Sequence, residues 1–120
     1  MDKKQRPMIP DLIKGGTSEI ETFQNNTLRP IIKMQHNLLI AVFENYLQKR
    51  NIKFFDFNLN KKKNLINSMF SRDVSFKNII IGAILGHFSM EEYHFYSKHP
   101  HEINKRISRI VQKRIEDTLL

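Results

Sequence analysis

Cysteine is absent from the 120-residue sequence. This absence excludes disulfides, thiolate catalysis and zinc sites built on cysteine. Long apolar runs are missing too, since no stretch approaches the roughly 20 apolar residues that cross a bilayer. The basic start, MDKKQRP, has no apolar region after it and does not resemble a secretory signal. Together these absences predict a cytoplasmic protein that does not associate with a membrane.

Motifs for hydrolytic or nucleotide chemistry are also missing. The sequence has no G-x-S-x-G, and the pair Gly15-Gly16 is not followed by the Lys-Ser or Lys-Thr of a phosphate-binding loop. Asp56 and Asp73 are isolated in the sequence, and Asp73 is well placed to cap a helix. These gaps favour a protein that is not an enzyme, and no cofactor is predicted.

The apolar residues recur at helical spacing over most of the chain. Residues 28–50 repeat at intervals of three and four, which predicts one long helix with a buried stripe. A second stripe, in residues 103–115, predicts the last helix. Between them, residues 51–59 read as an extended linker with a phenylalanine cluster. N-cap residues precede the predicted helices; they are Ser18, Asn58 or Asn60, Asp73 and Ser89.

Residues 74–88, VSFKNIIIGAILGHF, form the densest apolar run. A helix that is apolar on every side belongs inside a protein, so this one is predicted to be the buried centre of the fold. No segment alternates as a strand does. The predicted fold is therefore all-α, a compact bundle of about five or six helices. Residues 1–18 predict a flexible N-terminal segment, and residues 19–120 a single helical domain.

Gly82 and Gly86 lie four residues apart on the central helix. Glycine inside a helix costs roughly 0.5–1 kcal/mol relative to alanine, so the pair needs an offsetting gain. Close packing against another helix, within the chain or across a dimer, is the favoured explanation, and a ligand-facing notch is the alternative. A homodimer is expected because the chain has more large apolar side chains than a small bundle readily hides.

Basic residues exceed acidic ones, giving a formal net charge of +8. The excess is concentrated in residues 51–77, which predicts a nucleic-acid-binding surface as one hypothesis. The alternative is a solvated face whose lysines reflect codon bias, because the chain is also rich in isoleucine and asparagine. The candidate residues for nucleic-acid binding are Lys53, Lys61, Lys62, Lys63, Arg72 and Lys77.

Histidines cluster near the end of the central helix. His87, Glu91 and His94 are the candidate ligands for a single zinc or iron ion, because imidazole and carboxylate together suit these metals. A di-iron bundle needs two E-x-x-H pairs, and this sequence has one. The alternative is a set of polar residues at a helix junction, some of which cap carbonyl groups.

Three segments carry a resemblance to a known family: ETFQNNTLRPIIKMQHNLLIAVFENYL, DVSFKNIIIGAILGHFSMEEY and NKRISRIVQKRIEDTL. They resemble a family of short, uncharacterised bacterial helical proteins, chiefly in the patterns F-Q-N-x-T-L-R-P and F-x-N-x-x-x-G. The resemblance implies a small helical unit and transfers no catalytic residues. Some members are labelled glyoxalase, but that enzyme class places its metal ligands on strands, which this sequence lacks.

The sequence thus predicts an interaction or assembly module that is a homodimer and can bind a further protein. Nucleic-acid binding through the basic residues of 51–77 is the first alternative. A metal-dependent enzyme with a histidine and glutamate site in residues 87–101 is the second.

Overall fold

The structure is a computed structural model that describes residues 16–120. The predicted flexible segment, residues 1–18, lies mostly outside the described residues, and the first helix begins at Gly16 rather than at Glu19. The α-helices are α1 (Gly16–Phe23), α2 (Arg29–Met34), α3 (His36–Lys49), α4 (Leu59–Arg72), α5 (Val74–Leu85), α6 (Met90–Lys98) and α7 (Pro100–Leu119). The described chain contains no strand, which confirms the predicted all-α bundle.

A short π-helix, Gln24–Leu28, joins α1 to α2. The backbone stays helical through these five residues, and its turn is wider than that of an α-helix. Pro30 follows and has no N–H, so the Asn26 carbonyl cannot receive the usual α-helical bond from that position. Gln35 then bends the chain between α2 and α3. The helix predicted for residues 28–50 therefore continues from the π-helix without a break, and it bends at Gln35.

Helix α7 is the element around which the others pack. Its residues Ile103, Ile107, Val111 and Ile115 are fully buried. Their four-residue spacing keeps them on one side of the helix. Helices α2 to α6 and the π-helix all contact α7. The predicted stripe in residues 103–115 is thus confirmed, and it forms the axis of the core.

Side-chain caps fix where the central helices begin. The Asn58 side chain accepts a hydrogen bond from an N–H in the first turn of α4, at 2.9 Å, and Asp73 does the same for α5, at 3.1 Å. Ser89 and Glu92 form a reciprocal capping box at the start of α6. These three predictions are confirmed. Ser18, by contrast, lies inside α1 and not at its N-terminus.

The linker between α3 and α4 reverses the chain over the core. Asn51 has a φ of 57°, the left-handed conformation that commonly ends a helix. A 3₁₀ turn, Phe54–Asp56, follows in place of the predicted extended segment. Phe54 is buried edge-on against Phe43, with ring centres 5.4 Å apart, whereas Phe55 is exposed. One member of the phenylalanine cluster therefore belongs to the core.

Helix α5 differs from the prediction in its burial and its length. Phe76, Ile80 and Ile84 are buried, but Ile79 is 48% exposed and Val74 is 62% exposed. The helix ends at Leu85, three residues before the predicted end. It is covered along one side by α3, α4 and α7, and its other side is open. The expected enclosure on every side is therefore wrong.

Candidate functional site

Helices α3 and α5 form an antiparallel pair that is held by a side-chain hydrogen bond at each end. At one end Gln35 bonds His87, with the two Nε2 atoms 2.6 Å apart. At the other end the Tyr46 hydroxyl donates to the Asp73 carboxylate. Because Gln35 precedes Tyr46 while His87 follows Asp73, the two helices run in opposite directions.

The Tyr46 and Asp73 bond is an electrostatically tuned contact. The hydrogen bond from Tyr46 is the main reason why the pKa of Asp73 lies below its usual value of 3.8. Burial is the main reason why the pKa of Tyr46 lies above its usual value of 10.0. Arg50 places its guanidinium 3.7 Å from the centre of the Tyr46 ring. Asp73 therefore joins two tasks, since it caps α5 and ties it to α3.

His87 has a structural partner at the other end of the pair. The Gln35 side-chain amide lies within hydrogen-bonding distance of the His87 ring at Nε2. The bond places His87 in the α3–α5 contact and accounts for a polar residue at the end of an apolar helix.

Gly82 lies beside open space in the described chain. A Cβ atom built on Gly82 would meet nothing within 4 Å. One built on Gly86 would meet the carbonyl oxygens of Gly82 and Ala83, at 3.5 and 3.9 Å, which is ordinary van der Waals contact. Close packing within the chain, one form of the prediction, is therefore wrong for Gly82 and stays a prediction for Gly86. Packing across a dimer stays a prediction.

Large apolar side chains are exposed beside these glycines. Ile79 lies one turn before Gly82 on α5 and is 48% exposed. On the neighbouring helices, Leu38 of α3 is 48% exposed and Met34 of α2 is 50% exposed. The long-helix prediction placed Leu38 inside the core. Leu38 and Leu39 are rotated by about 100° from each other, so only one of them, Leu39, reaches the centre of the buried face.

Met34 and Leu38 lie near the Gln35–His87 end of the helix pair. They are on either side of Gln35, and Gly86 directly precedes His87, so the Gln35–His87 bond brings this end of α3 close to the end of α5. Ile79, Gly82 and Gly86 are three and four residues apart, so they share one face of α5. We call this surface the apolar strip; it comprises Met34, Leu38, Ile79, Gly82 and Gly86.

Charge is nearly absent from this part of the chain. Between Asp73 and Glu91 the only formally charged residue is Lys77, and it is partly buried. The whole chain, by contrast, carries a net charge of +8. The α5 part of the apolar strip is therefore a nearly uncharged surface, which two positively charged copies could approach with little repulsion.

The candidate metal ligands do not form a common site. Among residues 19–120, whose side chains the structure describes, no three histidine, aspartate or glutamate side chains lie close enough to share a metal ion. His87 is held by Gln35, while Glu91 and His94 are exposed on α6. The E-x-x-H spacing thus produces neighbours on one helix without a third ligand from another.

The basic residues of 51–77 lie on several elements. Lys61, Lys62 and Lys63 are consecutive, so successive side chains point about 100° apart around α4. Lys61 and Lys62 lie over phenylalanine rings, with Lys61 Nζ 4.1 Å from the centre of Phe57. The remaining candidates are on other parts of the chain: Lys53 precedes the 3₁₀ turn, Arg72 lies in the last turn of α4, and Lys77 lies on α5.

The phenylalanines beside these lysines differ in exposure. Phe54 is buried in the core and has no free face for a nucleobase. Phe55 is exposed, and Lys62 Nζ lies 5.9 Å from its ring centre. One exposed ring supplies a single position for base stacking, and nucleic-acid binding by this region stays a prediction.

No helix in the described part of the chain is both long enough and apolar enough to span a membrane. Comparison with known proteins yields no matching family model, no matching curated protein and no matching solved structure. The apolar strip is therefore the candidate interaction site of this chain.

Proposed function

We propose that this protein is a small helical assembly module that pairs with a second copy of itself through the apolar strip. The observation that carries the proposal is the exposure of Ile79 one turn before Gly82, where an added Cβ would meet nothing within 4 Å. An exposed isoleucine and a glycine inside a helix are each unfavourable in a monomer. A partner that covers both offsets the two costs together.

A second copy fits this surface better than an unrelated partner. In a two-fold dimer the same patch meets itself, so it must contain both protruding and recessed parts. The apolar strip meets this requirement on α5, because Ile79 is a large exposed side chain and Gly82, one turn later, has no side chain. The scarcity of charge on α5 also permits two copies with a net charge of +8 to approach each other. We assign the module to the cytoplasm, where a chain without cysteine needs no oxidising environment.

Sedimentation equilibrium over a range of protein concentrations tests this proposal. The wild-type chain should reach twice the mass of one chain as the concentration rises. Ile79→Lys should remain a monomer over the same range, because it would bury two unpaired charges at the interface. Asn64→Lys is the matched control, since it adds the same charge to an exposed position on α4. A wild-type chain that stays monomeric at every concentration contradicts the proposal.

A further inference from the structure

The π-helix is a feature that self-association through α3 and α5 does not use. The Arg29 backbone N–H donates to the carbonyl oxygen of Gln24, five residues earlier. Single π turns inside α-helices are rare and frequently occur at functional sites. This one lies within the F-Q-N-x-T-L-R-P pattern, which covers residues 23–30. Its surroundings therefore bear on what else the protein binds.

The inner side of the π-helix is anchored to α6. Thr27 and Leu28 are buried. The Thr27 hydroxyl donates to Oε2 of the buried Glu92, at 3.4 Å, while Glu92 Oε1 accepts from the Ser89 N–H, at 2.8 Å. The carboxylate that caps α6 thus also receives a bond from the π-helix. This link fixes the position of the widened turn relative to the rest of the bundle.

The outer side of the π-helix orients two arginines. Asn25 Oδ1 accepts from Arg29 Nε at 3.2 Å, and Gln24 Oε1 accepts from Arg106 Nη1 at 3.1 Å. Both acceptors are uncharged amides, so they direct the guanidinium groups without neutralising them. Arg106 also pairs with Glu102, at 2.9 Å, and Arg29 pairs with no carboxylate among the described residues. The terminal nitrogens of Arg29 therefore remain available to a ligand.

A cleft of about 560 Å³ lies between this arginine and the second half of α7. Its volume is in the range of roughly 300–1,000 Å³ that is typical of small-molecule sites. Four cations line it, namely Arg29 from one wall and Arg109, Lys113 and Arg114 from the other. Among the described residues, Asp117 is the single acidic one in the lining, which leaves a formal charge of +3 from these side chains.

Most of this charge is not neutralised by the neighbouring side chains. Lys113 pairs with Asp117 at 2.9 Å, on the exposed edge of the cleft. Arg114 Nη1 lies 3.2 Å from His36 Nδ1. Arg109 is exposed and forms no ion pair with any residue that the structure describes. The pKa of Glu102 is lowered mainly by its hydrogen bond from Arg106, and at longer range the charge of Arg109 helps to lower it. Among the described residues, three guanidinium groups therefore line one cleft without a carboxylate in direct contact.

Like charges that converge on one cavity destabilise a fold, and a bound anion reverses this effect. The planar guanidinium fork matches phosphate geometry and can donate two parallel hydrogen bonds. Guanidinium groups on opposite walls favour a ligand with at least two negative charges over a single carboxylate. The side chain of Ile110 adds an apolar wall on which the carbon portion of such a ligand can rest.

We propose that this cleft binds a small molecule that carries a pyrophosphate or phosphate-monoester group, held between Arg29 and Arg109. The cleft uses the π-helix, α2 and α7, whereas the apolar strip lies on α2, α3 and α5. The two proposals depend on different residues, so either can fail without the other. A concave site with arginines on two walls favours a small ligand over the extended backbone of a nucleic acid.

Isothermal titration calorimetry of the full chain tests this inference with four probes: sodium pyrophosphate, adenosine diphosphate, adenosine without phosphate, and a single-stranded oligonucleotide. Pyrophosphate and adenosine diphosphate should bind, and adenosine should not. The double variant Arg29→Gln/Arg109→Gln should lower the affinity for both phosphates by about tenfold or more, because it removes charge-assisted hydrogen bonds from both walls.

The matched control is Lys61→Gln/Lys63→Gln, which removes the same charge from exposed positions on α4 and should change the affinity by less than about twofold. Arg109→Lys provides a second check that retains the charge and loses the fork. It should weaken binding measurably if the fork contacts the phosphate. Circular dichroism of each variant confirms that the fold is retained, as expected for substitutions at exposed positions.

Three results would overturn the inference. One is the absence of pyrophosphate and adenosine diphosphate binding to the wild-type chain. Another is an equal loss of affinity in the cleft and control variants, which would show that only the diffuse positive field attracts phosphate. The third is binding of the oligonucleotide without binding of either small phosphate, which would identify a nucleic-acid surface instead.

Discussion

Helices α5 and α7 pack against each other, but they differ in how completely their apolar residues are buried. On α7 the isoleucines and valine form one stripe, and each member of the stripe at positions 103, 107, 111 and 115 is fully buried. On α5 apolar residues surround the helix, and only one side is covered. The one-sided apolar pattern of α7 therefore predicted which of its residues are buried and which are exposed. The apolar residues on every side of α5 did not show which side the rest of the bundle would cover.

The exposure of one side of α5 depends on the packing of the other helices, which its own sequence pattern does not contain. Among the described residues, α3, α4 and α7 are the helices that cover α5, and Val74 and Ile79 on its other side stay exposed. The apolar residues there face solvent unless a second chain covers them. The exposed side of α5, which was expected to lie in the core, is thus a candidate interface.

The largest expected effect separates the two sides of α5 directly. Ile84→Ala should lower the free energy of unfolding by about 3 kcal/mol, because Ile84 is fully buried and its truncation leaves a cavity. Ile79→Ala, the same change one turn away, should cost less than about 0.5 kcal/mol in a dilute, monomeric sample. Urea denaturation of both variants provides the comparison. Equal losses would show that the open side is covered even in the monomer.

A smaller effect is expected where α5 is tied to α3. Tyr46→Phe should lower the free energy of unfolding by about 1 kcal/mol, because it removes the hydroxyl that donates to Asp73. Thermal or urea denaturation at neutral pH measures the loss. A variant as stable as the wild type would show that this bond does not hold the pair together.

The same variant predicts a change in pH dependence. The pKa of Asp73 is lowered in the folded state, so its contribution to stability is present above its usual value of 3.8 and is lost as the pH falls through the lower folded value. Tyr46→Phe removes the main cause of this shift. Between neutral pH and pH 3, the wild type should therefore lose more stability than the variant. Parallel losses in the two proteins would contradict the assignment.

The smallest expected effect is a gain in stability. Gly82→Ala should raise the free energy of unfolding of the monomer by about 0.5–1 kcal/mol, since a Cβ there meets nothing within 4 Å and alanine favours the helix. Denaturation at low protein concentration measures this gain. A loss of stability under these conditions would show that Gly82 packs closely within the chain after all.

The helices and their caps were largely predictable because they depend on local chemistry. Asn58, Asp73 and Ser89 each act within one turn of the chain, and spacing alone identifies such residues. The exposure of Leu38 and the open space beside Gly82 depend instead on which helices pack against each face. That quantity arises from the tertiary arrangement, and no single stretch of sequence contains it.

The basic cleft escaped the sequence analysis for a related reason. Charge was summed along the chain, and in residues 78–120 six basic residues are nearly balanced by five acidic ones. The fold separates them, because Glu92 turns inward to Thr27 while Arg109 and Arg114 turn toward the cleft. A helical-wheel count for α7 would have placed Arg106, Ile110, Lys113 and Asp117 on one flank. The contribution of Arg29 required the neighbouring helix to be in place.

The most direct test of the assembly claim uses the absence of cysteine from this chain. Ile79→Cys introduces a single thiol into the apolar strip, and Asn64→Cys introduces one on an exposed part of α4 as the control. Under mild oxidation, Ile79→Cys should form a disulfide-linked dimer rapidly at concentrations where Asn64→Cys remains monomeric. Equal rates of cross-linking in the two variants, or none in Ile79→Cys, would contradict the account.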